Sequence, residues 1–126
     1  MDTIKINSTD DTPRVILDAE NEVFEISGMS LPEDVNLFYE PILNWLDEYA
    51  ENPNKETTFN FKLIYFNTAS SKLILDILFK LEEIFEDGHT VAVKWLYPED
   101  DEDMKESGEE YSELVDVPFD LMGYES

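Results

Sequence analysis

The sequence has no cysteine and only one histidine among its 126 residues. Without cysteine the chain has no disulfide framework, no thiolate metal site and no cysteine nucleophile. The histidine, His89, follows Asp87 and Gly88 at the start of a strand-like run, with no paired carboxylate near it in sequence to orient its ring. We interpret it as a turn or strand-edge residue rather than a general base, and we expect the protein not to be an enzyme.

Glycine is also scarce, with four residues at positions 28, 88, 108 and 123. They are isolated from one another, and none belongs to a glycine-rich phosphate-binding loop followed by lysine. We therefore expect no bound nucleotide and no cofactor.

Long apolar runs are missing as well. No stretch approaches the roughly 18 to 20 apolar residues of a membrane span. The opening residues do not show the basic segment and apolar run of a secretory signal. These features predict a cytoplasmic protein.

Basic residues are few: eight lysines and arginines stand against 31 acidic residues, for a formal net charge of −23. No basic residue lies between Arg14 and Lys55. Such a surface repels phosphate backbones and anionic lipid, so we expect neither nucleic acid nor membrane as a partner. The acidity favours a basic partner protein, or it serves only to keep the chain soluble.

What the sequence does contain is enough apolar material for one core. Hydrophobic residues make up 42% of the chain and aromatic residues 13%. A chain of this length supports a single domain, here residues 1–126. Strand-like and helix-like stretches alternate, which predicts an α/β fold.

The N-terminal third predicts a strand pair and a helix. Apolar runs at 3–7, 14–18 and 22–26 indicate strands, and the Asp-Ala-Glu-Asn turn between the last two predicts an antiparallel hairpin. Ser30 and Glu33 form a capping-box pattern for a helix that runs to about Ala50. The apolar residues of that helix fall on one arc, namely Val35, Phe38, Tyr39, Ile42, Leu43, Trp45, Leu46 and Tyr49.

The remaining residues predict a strand–helix–strand unit and a short C-terminal pair. We expect a central strand at 58–66, a second main helix at 69–86, a strand at 89–97, a short helix at about 101–113 and an edge strand at about 115–122. The residues from 58 to 97 then form a right-handed parallel crossover. With the antiparallel hairpin, the sheet is mixed.

Three hydroxyl residues, Thr68, Ser70 and Ser71, stand where the central strand meets the second helix. A helix start has unsatisfied backbone N–H groups and a positive dipole end, so a hydroxyl there is a natural cap. The same position accommodates a phosphate, which Lys72 is placed to assist. Both interpretations remain open from the residues alone.

The second helix carries two apolar residues outside its core face. Leu73, Ile74 and their periodic neighbours form that face, whereas Leu75 and Phe79 lie beside it. As i, i+4 neighbours they form an apolar pair exposed to a partner, or they are isolated surface residues of the ordinary kind.

The densest carboxylate run lies at residues 99–103. Oxygen ligands of this kind suit Ca²⁺ or Mg²⁺, but the spacing is not that of an EF-hand. Acidic residues in a first helical turn are also favoured by the helix dipole without any metal. We predict no metal site and keep divalent-metal binding as an alternative.

Several segments together resemble the SiaC family of bacterial regulatory phosphoproteins, over nearly the whole chain. They are "GMSLPED", "FYEPILNWLDEY", "YFNTASSK" and "VAVKWLYPEDDED". The most specific is the Tyr-x-Asn-Thr-x-Ser pattern at Tyr65, Asn67, Thr68 and Ser70.

The resemblance implies a fold similar to the STAS domain of anti-sigma-factor antagonists and a role in partner switching. It implies that a cognate serine/threonine protein kinase phosphorylates Thr68 and that a PP2C-like phosphatase removes the phosphate. The unphosphorylated form is then expected to bind an effector such as a diguanylate cyclase, in cyclic di-GMP and biofilm signalling. The alternative effector is a sigma-factor inhibitor. The expected partner surface comprises Asn67, Thr68, Ser70, Lys72, Leu75 and Phe79.

Overall fold

A six-stranded β-sheet forms the centre of the computed structural model, which describes residues 2–125, and its strands lie side by side in sequence order. The strands are β1 (Ile4–Ile6), β2 (Arg14–Asp18), β3 (Val23–Ser30), β4 (Glu56–Phe66), β5 (Thr90–Pro98) and β6 (Phe119–Tyr124). The helices are α1 (Val35–Glu51), α2 (Thr68–Glu86) and α3 (Glu102–Leu114).

The sheet is mixed, as predicted. Strands β1, β2 and β3 are antiparallel neighbours, whereas β3, β4, β5 and β6 run parallel. The predicted N-terminal hairpin is therefore confirmed as β2 and β3, and the predicted crossover as β4, α2 and β5. Two further parallel connections run through α1 and α3, so each helix joins neighbouring parallel strands.

The core lies between one face of the sheet and the three helices. In β4 the side chains of Phe59, Phe61 and Leu63 are buried, whereas the alternating residues Lys62 and Ile64 are exposed. This period-2 alternation places one side-chain set on each face of the sheet. The three helices cover the face that carries the buried set.

The predicted capping role of Ser30 is wrong. Helix α1 begins at Val35, and its N-cap is Asp34, whose carboxylate accepts a hydrogen bond from Leu37 N at 3.1 Å. Ser30 is instead the last residue of β3 and is fully buried beside Phe66 of β4. The strand extends to residue 30 because β3 and β4 remain paired through a register shift at Gly28, whose φ of +105° suits glycine.

Helix α3 approaches the sheet closely at Gly108. A Cβ atom on that residue would lie 2.4 Å from Trp95 Cδ1. The Trp95 indole N–H donates to the Met104 carbonyl at 3.0 Å, and Tyr111 packs against the same ring. The absence of a side chain at residue 108 thus allows α3 to rest on β5.

Candidate functional site

The candidate site lies at the edge of the sheet where β3 and β4 end. Because these strands are parallel and Ser30 pairs with Phe66, their carboxyl ends meet at the same place. Helices α1 and α2 both begin just after these ends. In parallel α/β sheets this edge is where binding sites commonly form.

Helix α2 is capped by Asn67 rather than by a hydroxyl. The Asn67 Oδ1 atom accepts a hydrogen bond from Ser70 N at 2.8 Å, and Asn67 N donates to the Ser30 carbonyl at 3.1 Å. The interpretation of Thr68 as the cap is therefore wrong, because the side-chain amide of the preceding residue performs that role. Thr68 is the first helical residue, and it is exposed.

The three hydroxyl residues have different environments. Ser70 is fully buried: its hydroxyl donates to the Ser30 carbonyl at 3.0 Å and accepts from the Ser30 hydroxyl at 2.9 Å. Ser71 is half-buried, and its hydroxyl donates to the Thr68 carbonyl at 2.8 Å. Of the three, Thr68 is the most exposed. The structure thus places Ser70 out of reach of a protein that docks on the folded chain.

A third hydroxyl, that of Tyr39, joins those of Ser30 and Ser70 in a buried group that we call the Ser30 cluster. The Tyr39 hydroxyl of α1 lies 2.6 Å from the Ser30 hydroxyl. Burial raises the pKa of Tyr39, so the phenol remains protonated and able to donate. The cluster therefore links the first turn of α2 to α1 through the end of β3.

The electrostatic setting of Thr68 suits an added phosphate. Lys72 is exposed one helical turn after Thr68, on the same side of α2. The helix N-terminus adds a positive partial charge, worth about 0.3 to 1 kcal/mol to a nearby anion. A phosphate on Thr68 is thus favoured by both the dipole and one cation.

Exposed apolar side chains occupy the same edge. Leu37 of the first turn of α1 is 71% exposed, and Ile64 and Tyr65 near the end of β4 are 54% and 52% exposed. Sequence reasoning did not select Leu37 or Ile64. For Leu37 a signal was present, since it falls outside the apolar arc of α1 although it is large and aliphatic.

Leu75 and Phe79 line different grooves rather than one shared surface. Leu75 is half-buried in a cavity of about 280 Å³ between α2 and α3, whose walls include Tyr111 and the exposed Leu114. Phe79 is 41% exposed and lines a cavity of about 370 Å³ with Leu43 of α1. Phe79 is thus exposed as predicted, whereas Leu75 is half-buried, because it lies in the groove between α2 and α3.

A hydrogen bond joins α2 and α3 across the groove near Thr68. The Tyr111 hydroxyl of α3 donates to the Ser71 carbonyl of α2 at 2.9 Å. Burial raises the pKa of Tyr111, so this donor remains protonated at neutral pH. The sequence alone did not indicate this contact, which joins residues 40 positions apart.

The carboxylates at 99–103 form the start of α3. Asp101 is the N-cap, and its Oδ1 atom accepts from Met104 N at 3.0 Å, while Glu102 and Asp103 occupy the first turn. Within residues 2–125, no group of three or more acidic, histidine or cysteine side chains is placed to hold a metal ion. The arrangement is that of a dipole-stabilised helix start.

His89 lies far from this edge. It follows the C-terminal end of α2 and precedes β5, as the strand-edge interpretation predicts. Thr68 begins the same helix, so about 28 Å of helix separates the two residues. As for membranes, none of the helices described is long and apolar enough to cross a bilayer.

Known proteins match this chain over nearly its whole length. The family model described as "SiaC family regulatory phosphoprotein" matches residues 6–124. An uncharacterised protein of Pseudomonas aeruginosa strain UCBPP-PA14 is 27% identical over 125 residues, which cover 99% of each chain.

Solved structures of Pseudomonas aeruginosa SiaC share the fold. Apo-SiaC matches with a TM-score of 0.88 and 28% identity, over 97% of this chain and 99% of that one. A second match is SiaC in complex with the diguanylate cyclase SiaD, of which it is the activator, with a TM-score of 0.89 and 27% identity over 96% and 99% of the two chains.

Proposed function

This chain belongs to the SiaC family of regulatory phosphoproteins, and we propose that it is a non-enzymatic switch whose binding to an effector is controlled by phosphorylation of Thr68. In this proposal a cognate serine/threonine protein kinase adds the phosphate and a PP2C-like phosphatase removes it. The unphosphorylated form binds the effector.

The observation that carries the proposal is the contrast between Thr68 and its neighbours. Thr68 is exposed at the first position of α2, whereas Ser70 is fully buried in the Ser30 cluster. A kinase needs a hydroxyl that reaches its active site, and in the folded chain Thr68 meets that need. Asn67 fixes the local backbone by capping the helix, so the modified residue is presented in a defined position.

The effector that we propose is a diguanylate cyclase. The related SiaC of Pseudomonas aeruginosa is the activator of the cyclase SiaD and forms a complex with it. This chain offers a suitable docking surface, because Thr68, Leu37 and Tyr65 are exposed at one edge of the sheet. Large apolar side chains exposed together are typical of protein interaction sites.

A phosphate on Thr68 opposes docking on this surface. It adds a charge of about −1.5 to −2 at pH 7. A protein that covers Thr68 must either remove water from that charge or supply a cation for it. In the unbound phosphoprotein, the nearby Lys72 already supplies a cation and water solvates the phosphate, so the unbound state is favoured. Phosphorylation is therefore expected to release the effector without changing the fold.

The test is a binding titration with the cognate diguanylate cyclase, measured by calorimetry. We expect the phosphoprotein to bind at least tenfold more weakly than the unmodified protein. Thr68→Ala, treated with the same kinase and ATP, should bind like the unmodified protein. Ser71→Ala is the matched control and should still respond to the kinase. Equal affinity of the modified and unmodified proteins would refute the proposed switch.

A further inference from the structure

Within residues 2–125, no helix covers the sheet face that points away from α1, α2 and α3, and we call it the open sheet face. It presents Arg14 of β2, Ser27 of β3, Lys62 of β4, Lys94 of β5 and their same-facing neighbours. Sheets of parallel strands normally have both faces covered, and strands β3 to β6 are parallel. The lack of a second layer is thus a feature that needs an explanation.

The open sheet face differs from the rest of the molecule in its net charge. Of the eight basic residues in the chain, the open sheet face holds Lys5, Arg14, Lys62 and Lys94. Its acidic residues are also four, namely Asp18, Glu25, Glu56 and Asp120. The face is therefore neutral, while the remaining surface carries the whole net charge of −23.

Two of the basic residues meet at a cavity. Arg14 and Lys62 both pair with Ser27, from its two sides, so about 10 Å separates their Cα atoms across three strands. They line a cavity of about 380 Å³ together with the hydroxyl residues Ser8 and Tyr124 and the carboxylate of Glu25. Two cations, one carboxylate and several hydroxyl groups thus converge on one depression of the open sheet face.

Neighbouring side chains hold these cations in place. The Arg14 guanidinium donates to Glu25 Oε2 at 2.8 Å, and the Lys62 ammonium lies 4.8 Å from the centre of the Tyr124 ring. An arginine has five N–H donors, so one bond to Glu25 leaves others free. Because the cations are positioned before binding, less side-chain entropy is lost when an anion arrives.

Apolar residues adjoin the cavity. Ile64 is 54% exposed and also lines it, and Met122 of the edge strand is 46% exposed. Basic residues extend over the face from β1 to β5, a width of about 19 Å at the usual strand spacing. That width corresponds to about six residues of an extended peptide, which is more than a small anion requires.

We propose that the open sheet face is a docking surface for an extended acidic segment of a partner protein. Carboxylates of the segment pair with Arg14 and Lys62, and an apolar side chain of the segment packs on Ile64. A basic partner has no reason to choose this face, since the acidic surface elsewhere attracts it more strongly. Elsewhere acidic residues greatly outnumber basic ones, so an acidic segment meets the least repulsion on the open sheet face, where the two are equal in number. Thr68 begins a helix on the opposite face, so this surface is distinct from the proposed phosphorylation site, and Ile64 lies where the two regions adjoin.

The test is an amide chemical-shift titration of the full chain with a synthetic peptide of about eight residues that alternates glutamate and valine. We expect saturable shifts centred on Ser27 and Lys62. Lys62→Glu and Arg14→Glu should each weaken binding at least fivefold. The matched controls are the single variants Lys72→Glu and Lys105→Glu, each of which makes the same charge change on the helical side and should alter the affinity less than twofold.

Other results overturn the proposal. Shifts centred on the helices, no saturable shift, or an equal loss of affinity in the control variants would each contradict it. Sedimentation velocity on the protein alone tests whether a second copy of the chain occupies the open sheet face. If the protein dimerises and Lys62→Glu abolishes the dimer, the open sheet face is a self-association surface and the acidic-segment proposal fails. Lys62 is exposed, so its substitution tests the site even if an Arg14 variant fails to fold.

Discussion

The hydroxyl of Ser70 lies 2.9 Å from the hydroxyl of Ser30, and both side chains are fully buried. This contact joins the first turn of α2 to the end of β3. Together with the Asn67 cap, it fixes the backbone that presents Thr68. The residues on either side of the proposed phosphorylation site thus have structural roles, and Thr68 itself is free for modification.

Replacement of Ser70 should therefore affect folding. Ser70→Ala removes a donor to the Ser30 carbonyl and leaves the buried Ser30 hydroxyl with one partner fewer, which should lower the free energy of unfolding by about 1 to 3 kcal/mol. Thr68→Ala, on an exposed side chain, should change it by less than about 0.5 kcal/mol. Urea unfolding of both variants checks this, and equal effects would contradict the assigned roles.

The Asn67 cap should contribute to both stability and phosphorylation. Asn67→Ala removes the acceptor for Ser70 N and should cost about 1 kcal/mol of unfolding free energy. It should also slow phosphorylation of Thr68, because the helix start is no longer fixed. Asp34→Ala removes the equivalent cap of α1. It should cost a similar free energy but leave the phosphorylation rate unchanged, and an equal slowing in both variants would refute a specific role for Asn67.

The contact of α3 with the sheet should be sensitive to one methyl group. Gly108→Ala places a Cβ about where the Trp95 ring lies, and such overpacking typically costs about 1 to 3 kcal/mol. The clash outweighs the intrinsic gain of about 1 kcal/mol for alanine in a helix. Glu109→Ala, on the exposed side of the same helix, is the control. Thermal unfolding that shows Gly108→Ala equal to or more stable than the parent would contradict the close approach.

The turn between β2 and β3 should give a pH-dependent contribution to stability. Hydrogen bonds from the Asn21 side chain and backbone to the Asp18 carboxylate lower the pKa of Asp18 below its usual value. A group with a lowered folded-state pKa stabilises the protein above its unfolded pKa, near 4, and loses that contribution as the pH falls through the folded pKa.

Asp18→Ala should therefore lower the unfolding free energy more at pH 7 than at pH 2. The difference should shrink when Asn21→Ala is already present, since the side-chain hydrogen bond to Asp18 Oδ2 is then absent and only the bond from the backbone N–H of residue 21 remains. Urea unfolding of the parent protein, the two single variants and the double variant at both pH values measures these losses of unfolding free energy. A loss that is the same at the two pH values would show that the carboxylate charge is not what stabilises the turn.

The order and type of the main elements could be predicted because their apolar periods are regular. The alternation of Val91, Val93 and Trp95 with more exposed residues is confirmed in β5, and the core face of α2 is buried as expected. The error at Ser30 has a physical cause. A serine three residues before a glutamate is a good capping signal, but long-range pairing of β3 with β4 places this hydroxyl in the core.

The site was only partly predictable for a similar reason. The hydroxyl cluster at the strand–helix junction is visible in sequence, yet the sequence does not say which hydroxyl is buried. Ser70 is sequestered by Ser30, which lies 40 positions earlier. Nor does the periodicity of α2 reveal that Leu75 lies in a groove beside α3, because the position of α3 depends on its close approach to the sheet at Gly108.

The central claim is that Thr68 is the phosphorylated residue, and peptide mapping after kinase treatment tests it most directly. The protein is incubated with its cognate kinase and ATP, its intact mass is measured, and the peptides over residues 62–80 are sequenced. We predict one added phosphate, located on Thr68, present in Ser71→Ala and absent from Thr68→Ala. A phosphate on another residue, or none from a kinase shown to be active, would contradict the account.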